Sequence, residues 1–157
     1  MRIYRFSLTD LLADTVYVDT ISYTYSNQTN FVANALTNFD AEAFVVSKDS
    51  IFIFTKQWKA KKTSLYAIPK VPGKYIAKLK TTFDVNGLIT GATYLEEQKI
   101  VVLCGYSKFQ MPFVFLLYDF KGNEFFSGNK RKIKIKLPFR QIEGIAHKSQ
   151  LEFYLTN

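Results

Sequence analysis

Three carboxylates in this chain occupy positions from which they could bind one metal ion together. Glu42 and Glu143 stand at the same place in two copies of a repeated segment, and Asp40 lies two residues before Glu42. Ca²⁺ prefers oxygen ligands and takes about six to eight of them. The sequence therefore indicates a possible Ca²⁺ site. The alternative is that the two glutamates accept hydrogen bonds from backbone N–H groups at strand ends.

Trp58 is a candidate contact for a different kind of ligand. It is followed by Lys59-Ala60-Lys61-Lys62 and falls in a loop between two predicted strands. An exposed indole among cations could contact a carbohydrate or an anionic ligand. The alternative is that the indole packs over the edge of a sheet.

Other common catalytic sets are missing from the sequence. His147 is the single histidine and Cys104 the single cysteine, so no zinc site of ordinary ligand spacing can form. There is also no G-x-S-x-G nucleophile elbow and no phosphate-binding G-x-x-x-x-G-K-[ST] loop. We expect Cys104, which lies in the apolar run 100–104, to be buried as a small hydrophobic residue. These observations favour a non-catalytic function.

The elements that must position the candidate residues recur at a spacing of 50 to 51 residues. Laid without gaps, Glu42-Ala43-Phe44-Val45 aligns with residues 92–95 and 143–146, and Phe52-Ile53-Phe54-Thr55 with residues 102–105 and 153–156. Residues 3–6, 65–68 and 117–120 share an aliphatic-Tyr-x-apolar pattern. A period of about 40 to 50 residues with four strands is typical of β-propeller blades.

Alternating patterns and short apolar runs predict an all-β fold of about twelve strands with no helix. The strands fall near residues 2–7, 15–23, 41–47, 50–55, 63–68, 75–81, 88–96, 99–104, 112–119, 131–137, 142–147 and 151–156. They divide the chain into a half blade at 1–23, an insertion loop at 24–39, blades at 40–87 and 88–139, and a half blade at 140–157. Each full blade is expected to be a four-stranded antiparallel meander.

This division gives two full blades and two half blades, whereas a propeller closes with about four to eight blades. We therefore expect the chain to be a fragment of a longer protein, with about half of a six-bladed ring present. The faces left uncovered in such an open arc are expected to make the fragment self-associate.

Composition and charge limit the classes of partner that the chain is expected to bind. Hydrophobic residues make up 48% and aromatic residues 17% of the chain, which suits a folded β-rich domain. The sequence contains no signal-peptide core and no run long enough to span a membrane. The formal charge of +8 invites a nucleic-acid interpretation. However, the basic cluster at residues 130–137 alternates basic and aliphatic side chains from residue 132 onward, which is typical of a strand with one solvated face at the rim of a blade, so nucleic-acid binding is not favoured.

Two segments resemble the D-x-E-G-[IL] opening of blades in bacterial propellers of the SdiA-regulated and esterase-like phytase groups. They are Asp40-Ala41-Glu42-Ala43-Phe44 and Gln141-Ile142-Glu143-Gly144-Ile145. Gln141 replaces the Asp of that motif, and the second copy, residues 89–93, has no Glu. Residues 42–56, 103–106 and 126–130 also resemble propeller-like proteins of Bacteroidota, which are often secreted.

The resemblance implies a binding or scaffolding module with an unknown ligand or protein partner. It also implies an exported parent protein located outside the cell or in the cell envelope. The alternative function is a Ca²⁺-dependent hydrolase of the esterase or phytase kind, with Asp40, Glu42 and Glu143 at its metal site.

Overall fold

The computed structural model describes residues 1–137, 139–149 and 152–157. It confirms the all-β prediction, with 53% of the residues in strands and 3% in helix, and a curled sheet of mixed strand directions forms a half-barrel. The strands are β1 (Arg2–Arg5), β2 (Asp19–Tyr25), β3 (Asp40–Val46), β4 (Ser50–Lys56), β5 (Lys62–Pro69), β6 (Gly73–Asp84), β7 (Leu88–Leu95), β8 (Ile100–Tyr106), β9 (Pro112–Tyr118), β10 (Asn129–Lys134), β11 (Gly144–His147) and β12 (Phe153–Thr156).

These strands form three sheets. The first has six strands in the order β1-β2-β6-β5-β4-β3, the second has four in the order β10-β9-β8-β7, and the third is the hairpin β11-β12. The strands β3 to β6 and β7 to β10 pair as two successive antiparallel meanders. The number of blades and the closure into a propeller remain predictions.

The N-terminal hairpin extends the first sheet. β1 pairs antiparallel with β2, and β2 pairs in parallel with β6 from Ile21↔Gly73 to Tyr25↔Ala77. The outer edge of β6, the fourth strand of its meander, is therefore paired over residues 73–77 and is not a free rim there. The physical reason is long-range packing, because β2 buries apolar side chains against the same sheet. A short 3-10 helix, Leu8–Leu12, also lies between β1 and β2, where no helix was predicted.

The first and second sheets pack face to face around one apolar cluster, which we call the front cluster. It consists of Ala43, Val45, Phe52, Phe54, Leu65, Val85, Ile89, Val101, Leu103, Phe113, Phe115, Leu117, Phe120 and Phe125. The fully buried Phe125 lies 4.9 Å from Phe52 and 5.0 Å from Phe120 between ring centroids. β7 contacts β3 on one side and β11 on the other. The first strands of the two meanders and of the hairpin therefore lie side by side.

A second cluster, the back cluster, lies on the opposite face of the first sheet under the N-terminal hairpin. Its members are Ile21, Tyr23, Tyr25, Ile51, Ile53, Tyr66, Ile68 and Ala77. The ring centroids of Tyr25 and Tyr66 are 4.5 Å apart. Because β4 contributes alternate side chains to both clusters, it is buried on both faces.

The buried tyrosines predict a loss of stability in alkali. Burial raises the pKa of the hydroxyl groups of Tyr23, Tyr25 and Tyr66 above the ordinary value. Above about pH 10 the unfolded chain therefore loses these protons first, while the folded chain retains them. Since the folded state then binds more protons, the free energy of unfolding falls as pH rises. Each such group contributes a slope of about 1.4 kcal/mol per pH unit.

Urea unfolding measured at a series of pH values checks this prediction. The free energy of unfolding should stay level up to about pH 9 and then fall. Tyr25→Phe should make the decline shallower. A decline of the same steepness in that variant would contradict the assignment.

The basic strand β10 shows the predicted pattern. From residue 130 to residue 137, Ile133 and Ile135 are half-buried and the other side chains are exposed. The side chain of Lys132 extends toward the interior of the fold. Its Nζ donates to the Val85 carbonyl oxygen at 2.6 Å and lies 3.9 Å from the Phe113 ring centroid. Burial lowers the pKa of this ammonium group. The basic side chains of this segment are therefore either exposed to solvent or, like Lys132, engaged in contacts within the fold.

Candidate functional site

The candidate residues lie where the first strands begin and the second strands end. β3 begins at Asp40 and its antiparallel partner β4 ends at Lys56, while β7 begins at Leu88 and β8 ends at Tyr106. Antiparallel pairing places the start of one strand beside the end of its partner. Because β3 packs beside β7, the two strand ends meet across the front cluster. We call the group of Asp40, Glu42, Lys56, Trp58, Tyr106 and Glu143 the strand-end cluster.

A β-bulge places Glu42 in this cluster. Ala41 pairs with Thr55 and Ala43 with Phe54, so Glu42 is an extra residue in β3. Such bulges redirect a side chain out of the regular alternation. Here the Lys56 Nζ donates to both carboxylate oxygens of Glu42, at 2.9 and 2.8 Å. The Lys56 side chain is only 4% exposed and that of Glu42 is 30% exposed, so the ammonium group of this ion pair is buried while the carboxylate remains partly solvated.

Two aromatic rings complete the surroundings of Lys56. Its Nζ lies 4.5 Å from the Trp58 ring centroid and 5.4 Å from that of Tyr106, within the range of cation–π attraction. Burial opposes the charge on Lys56, but the hydrogen bonds to Glu42 and the interaction with Tyr106 outweigh it and raise the pKa of the ammonium group. Lys56 is therefore protonated at neutral pH.

The other two predicted carboxylates act on Glu42 through their charges. Burial raises the pKa of Glu42 even though Lys56 opposes this shift, and the charges of Asp40 and Glu143 raise it further. The three residues singled out from the sequence thus share one electrostatic environment. The carboxylate of Glu42 is bound by a lysine, which neither the metal interpretation nor the backbone-capping interpretation anticipated.

Trp58 is fixed within the cluster. Its Nε1 donates to Asp40 Oδ2 at 3.0 Å, and the side chain is half-buried. The following backbone is held as well, since the N–H of Lys59 donates to Asn38 Oδ1 at 3.1 Å. The indole therefore presents one face toward Lys56 and holds a defined orientation on the loop.

A second bulge positions Glu143. Thr90 is the extra residue in β7, and its Oγ1 donates to the Ile142 carbonyl oxygen. The backbone N–H of Glu143 donates to the Thr156 carbonyl oxygen at 2.8 Å, while the Glu143 side chain is exposed. These contacts attach the start of β11 to β7 and so bring Glu143 close enough to affect the pKa values of Glu42 and Tyr106.

Sequence reasoning missed Lys56 and Tyr106. A signal for Lys56 was present, because it continues the period-two row of Phe52 and Phe54 and therefore had to point into the front cluster. Tyr106 stands at the corresponding place 50 residues later. A lysine at a core position of a strand needs a buried partner, and the paired strand β3 offered two carboxylates, Asp40 directly opposite Lys56 and Glu42 at the bulge.

The single histidine and the single cysteine, His147 and Cys104, pack against or within the fold. The ring centroid of His147 lies 5.5 Å from that of Phe153. Cys104 is fully buried, as predicted, and burial raises the pKa of its thiol to about 11. Across residues 1–137, 139–149 and 152–157, no three His, Cys, Asp or Glu side chains are grouped in a way that could hold a metal ion.

The described residues contain no helix with the length and apolar character needed to cross a membrane.

Comparison with known proteins adds no relative. The chain matches no protein family, no curated protein and no solved structure. The resemblance to bacterial propellers therefore has no support beyond the motifs themselves.

Proposed function

We propose that the chain is a non-catalytic binding or scaffolding module of β-propeller type, belonging to a larger exported protein. Two four-stranded meanders packed face to face, with β7 between β3 and β11, support this proposal because neighbouring blades place their first strands side by side around an axis. Reading the coding DNA on both sides of this segment tests it. Further copies of the repeat and an upstream signal peptide are expected, and stop codons directly flanking the segment would contradict it.

The observation that carries a binding function is the preformed strand-end cluster. Its side chains are fixed by the Lys56–Glu42 ion pair and the Trp58–Asp40 hydrogen bond before any ligand arrives. Groups held in this way lose little freedom on binding, which favours recognition. Because Lys56 is protonated and Glu42 is engaged, neither is available as a nucleophile or a general base.

The loop that carries Trp58 suggests the class of ligand. The half-buried indole is followed by Lys59, Lys61 and Lys62, and the Lys61 Nζ lies 5.9 Å from the Trp58 ring centroid. A flat aromatic surface beside cations suits a carbohydrate, above all an acidic one, or another anionic ligand.

Binding to an array of neutral and acidic oligosaccharides tests this assignment. We expect selective binding that Trp58→Ala weakens by about tenfold or more. Phe109→Ala is a matched control, because Phe109 is 72% exposed in the equivalent loop of the second meander. Equal loss in both variants, or binding that Trp58→Ala leaves unchanged, would contradict the assignment.

A Ca²⁺-dependent hydrolase is the second candidate, and the charges of Asp40 and Glu143, which both act on Glu42, favour it. Ca²⁺ would have to displace Lys56 from both oxygens of Glu42 before it could bind there. Hydrolysis of 4-nitrophenyl phosphate and 4-nitrophenyl acetate, measured with and without Ca²⁺, separates the two functions. The binding proposal predicts no Ca²⁺-dependent turnover. Turnover that is lost in the Glu42→Gln/Glu143→Gln double variant would instead establish the hydrolase.

A further inference from the structure

The C-terminal hairpin covers only part of the outer face of the second sheet. Beside it lies a cavity of about 530 Å³, which we call the C-terminal groove. The groove is lined by apolar side chains of β8, β9, β10 and the C-terminal hairpin, among them Leu116, Ile133, Ile145 and Leu155. The corresponding face of the first sheet is covered by the four strands of the second. The apolar lining of the groove indicates that it too requires a cover.

The opposite end of the chain exposes apolar side chains that need burial. In residues 6–18, which we call the N-terminal apolar segment, Phe6, Leu8, Leu11, Leu12, Tyr17 and Val18 are each at least 50% exposed. Leu12 is 97% exposed. Six such side chains within one short segment exceed what an isolated surface loop ordinarily presents.

Six strands lie at sheet edges in the described part of the chain, and β1 and β12 are two of them. Within the described residues, β1 and β12 each pair with a strand on one side only. Each has four residues, and an unpaired edge is a template for another strand. The hairpins β1-β2 and β11-β12 together contain four strands, which is the number in each of the two complete meanders.

The charges of the two regions are complementary. The N-terminal apolar segment carries Asp10 and Asp14 and no basic residue. β10, which borders the C-terminal groove, carries the exposed residues Lys130 and Arg131 near its start, and the Lys130 Nζ also donates to the carbonyl oxygens of Phe126 and Gly128. If β2 lay over β10, the acidic segment that leads into β2 would approach this basic end.

We propose that two copies of this chain associate head to tail. In this pair β1 of one copy extends the edge of β12 of the other, and the N-terminal apolar segment covers the C-terminal groove of that other copy. The two contacts are related by a two-fold axis, so the pair closes and leaves no open end. This proposal concerns the chain by itself: in a parent protein with further repeats, those repeats would take the place of the second copy. It does not depend on the ligand assigned to the strand-end cluster.

The mass of the full chain in solution, measured by light scattering after size-exclusion chromatography, tests this proposal. We expect twice the single-chain mass of 18.1 kDa. Leu12→Glu and Leu116→Glu, one on each side of the contact, should each weaken association by about 30-fold or more. Phe109→Glu, an equally drastic change at another exposed apolar residue, should leave the pair intact.

Circular dichroism should show that all three variants are folded, since Leu12 and Phe109 are exposed and Leu116 is only half-buried. If Leu116→Glu unfolds, Leu12→Glu alone decides the outcome. A wild-type chain that stays at 18.1 kDa at every soluble concentration would overturn the proposal. A pair that Leu12→Glu leaves intact would overturn it as well.

Discussion

Gly105→Ala is expected to prevent the chain from folding stably. Gly105 lies buried in β8 opposite Ile89, next to the bulge in β7. A Cβ atom there would stand 1.9 Å from the Leu88 carbonyl oxygen and 2.9 Å from its carbon, both backbone atoms that cannot rotate away. Relief requires the separation of β7 from β8, which should cost about 4 kcal/mol or more. That is most of the stability of an ordinary domain.

Thermal unfolding followed by circular dichroism checks this expectation. Gly122→Asn is a suitable control, because nothing lies within 4 Å of the added Cβ and asparagine tolerates the φ of +54° at this position. The control should unfold close to the wild-type temperature, whereas Gly105→Ala should be insoluble or unfold far below it. Similar melting temperatures for wild type and Gly105→Ala would show that β7 and β8 are not packed as described.

Lys56→Met is expected to destabilise the fold by about 2 to 3 kcal/mol. The substitution retains the apolar stem of the side chain but leaves the partly buried carboxylate of Glu42 without its cation. Removing one partner of a fully buried pair typically costs more, about 3 to 5 kcal/mol, but Glu42 is 30% exposed and water recovers part of the loss.

The free energy of unfolding in urea measures this effect. Lys80→Met is the matched control, since Lys80 is exposed on β6 and its loss should change stability by less than about 0.5 kcal/mol. Equal stabilities of the two variants would mean that Lys56 is solvated and does not neutralise Glu42.

Local patterns were sufficient to predict most of the strands. β4 was expected at residues 50–55 and lies at Ser50–Lys56, and β8 was expected at 99–104 and lies at Ile100–Tyr106. Both strands are nearly continuous apolar runs between turn signals, and burial on two faces explains why they carry no alternation. The pairing within each meander followed from the short connections, because neighbours in sequence most often pair.

The parts that could not be predicted depend on contacts between distant residues. The parallel pairing of β2 with β6 arises because Tyr23 and Tyr25 bury their rings against the first sheet. No local signal distinguishes this from a separate half blade. The 3-10 helix Leu8–Leu12 is similarly short and weakly encoded, and it has no buried residue.

The sequence was sufficient to locate the three carboxylates of the candidate site, but not to predict that Glu42 forms an ion pair with Lys56. The repeat placed Asp40, Glu42 and Glu143 at equivalent strand starts, and the structure brings their charges together. The bulge that turns Glu42 toward Lys56 is set by the register of β3 against β4, which no pattern of residue types reveals. An ion pair between Lys56 and Glu42 therefore occupies the position for which the carboxylates alone indicated Ca²⁺.

The central claim is that the ammonium group of Lys56 balances the charge of Glu42. A double-mutant cycle of wild type, Lys56→Met, Glu42→Gln and the double variant, unfolded in urea with a chelator and again with Ca²⁺, tests it most directly. We expect a favourable coupling free energy of about 2 kcal/mol between the two residues, with no change when Ca²⁺ is added. The account would be contradicted by a coupling free energy near zero, together with stabilisation by Ca²⁺ of the wild-type chain but not of the Glu42→Gln variant.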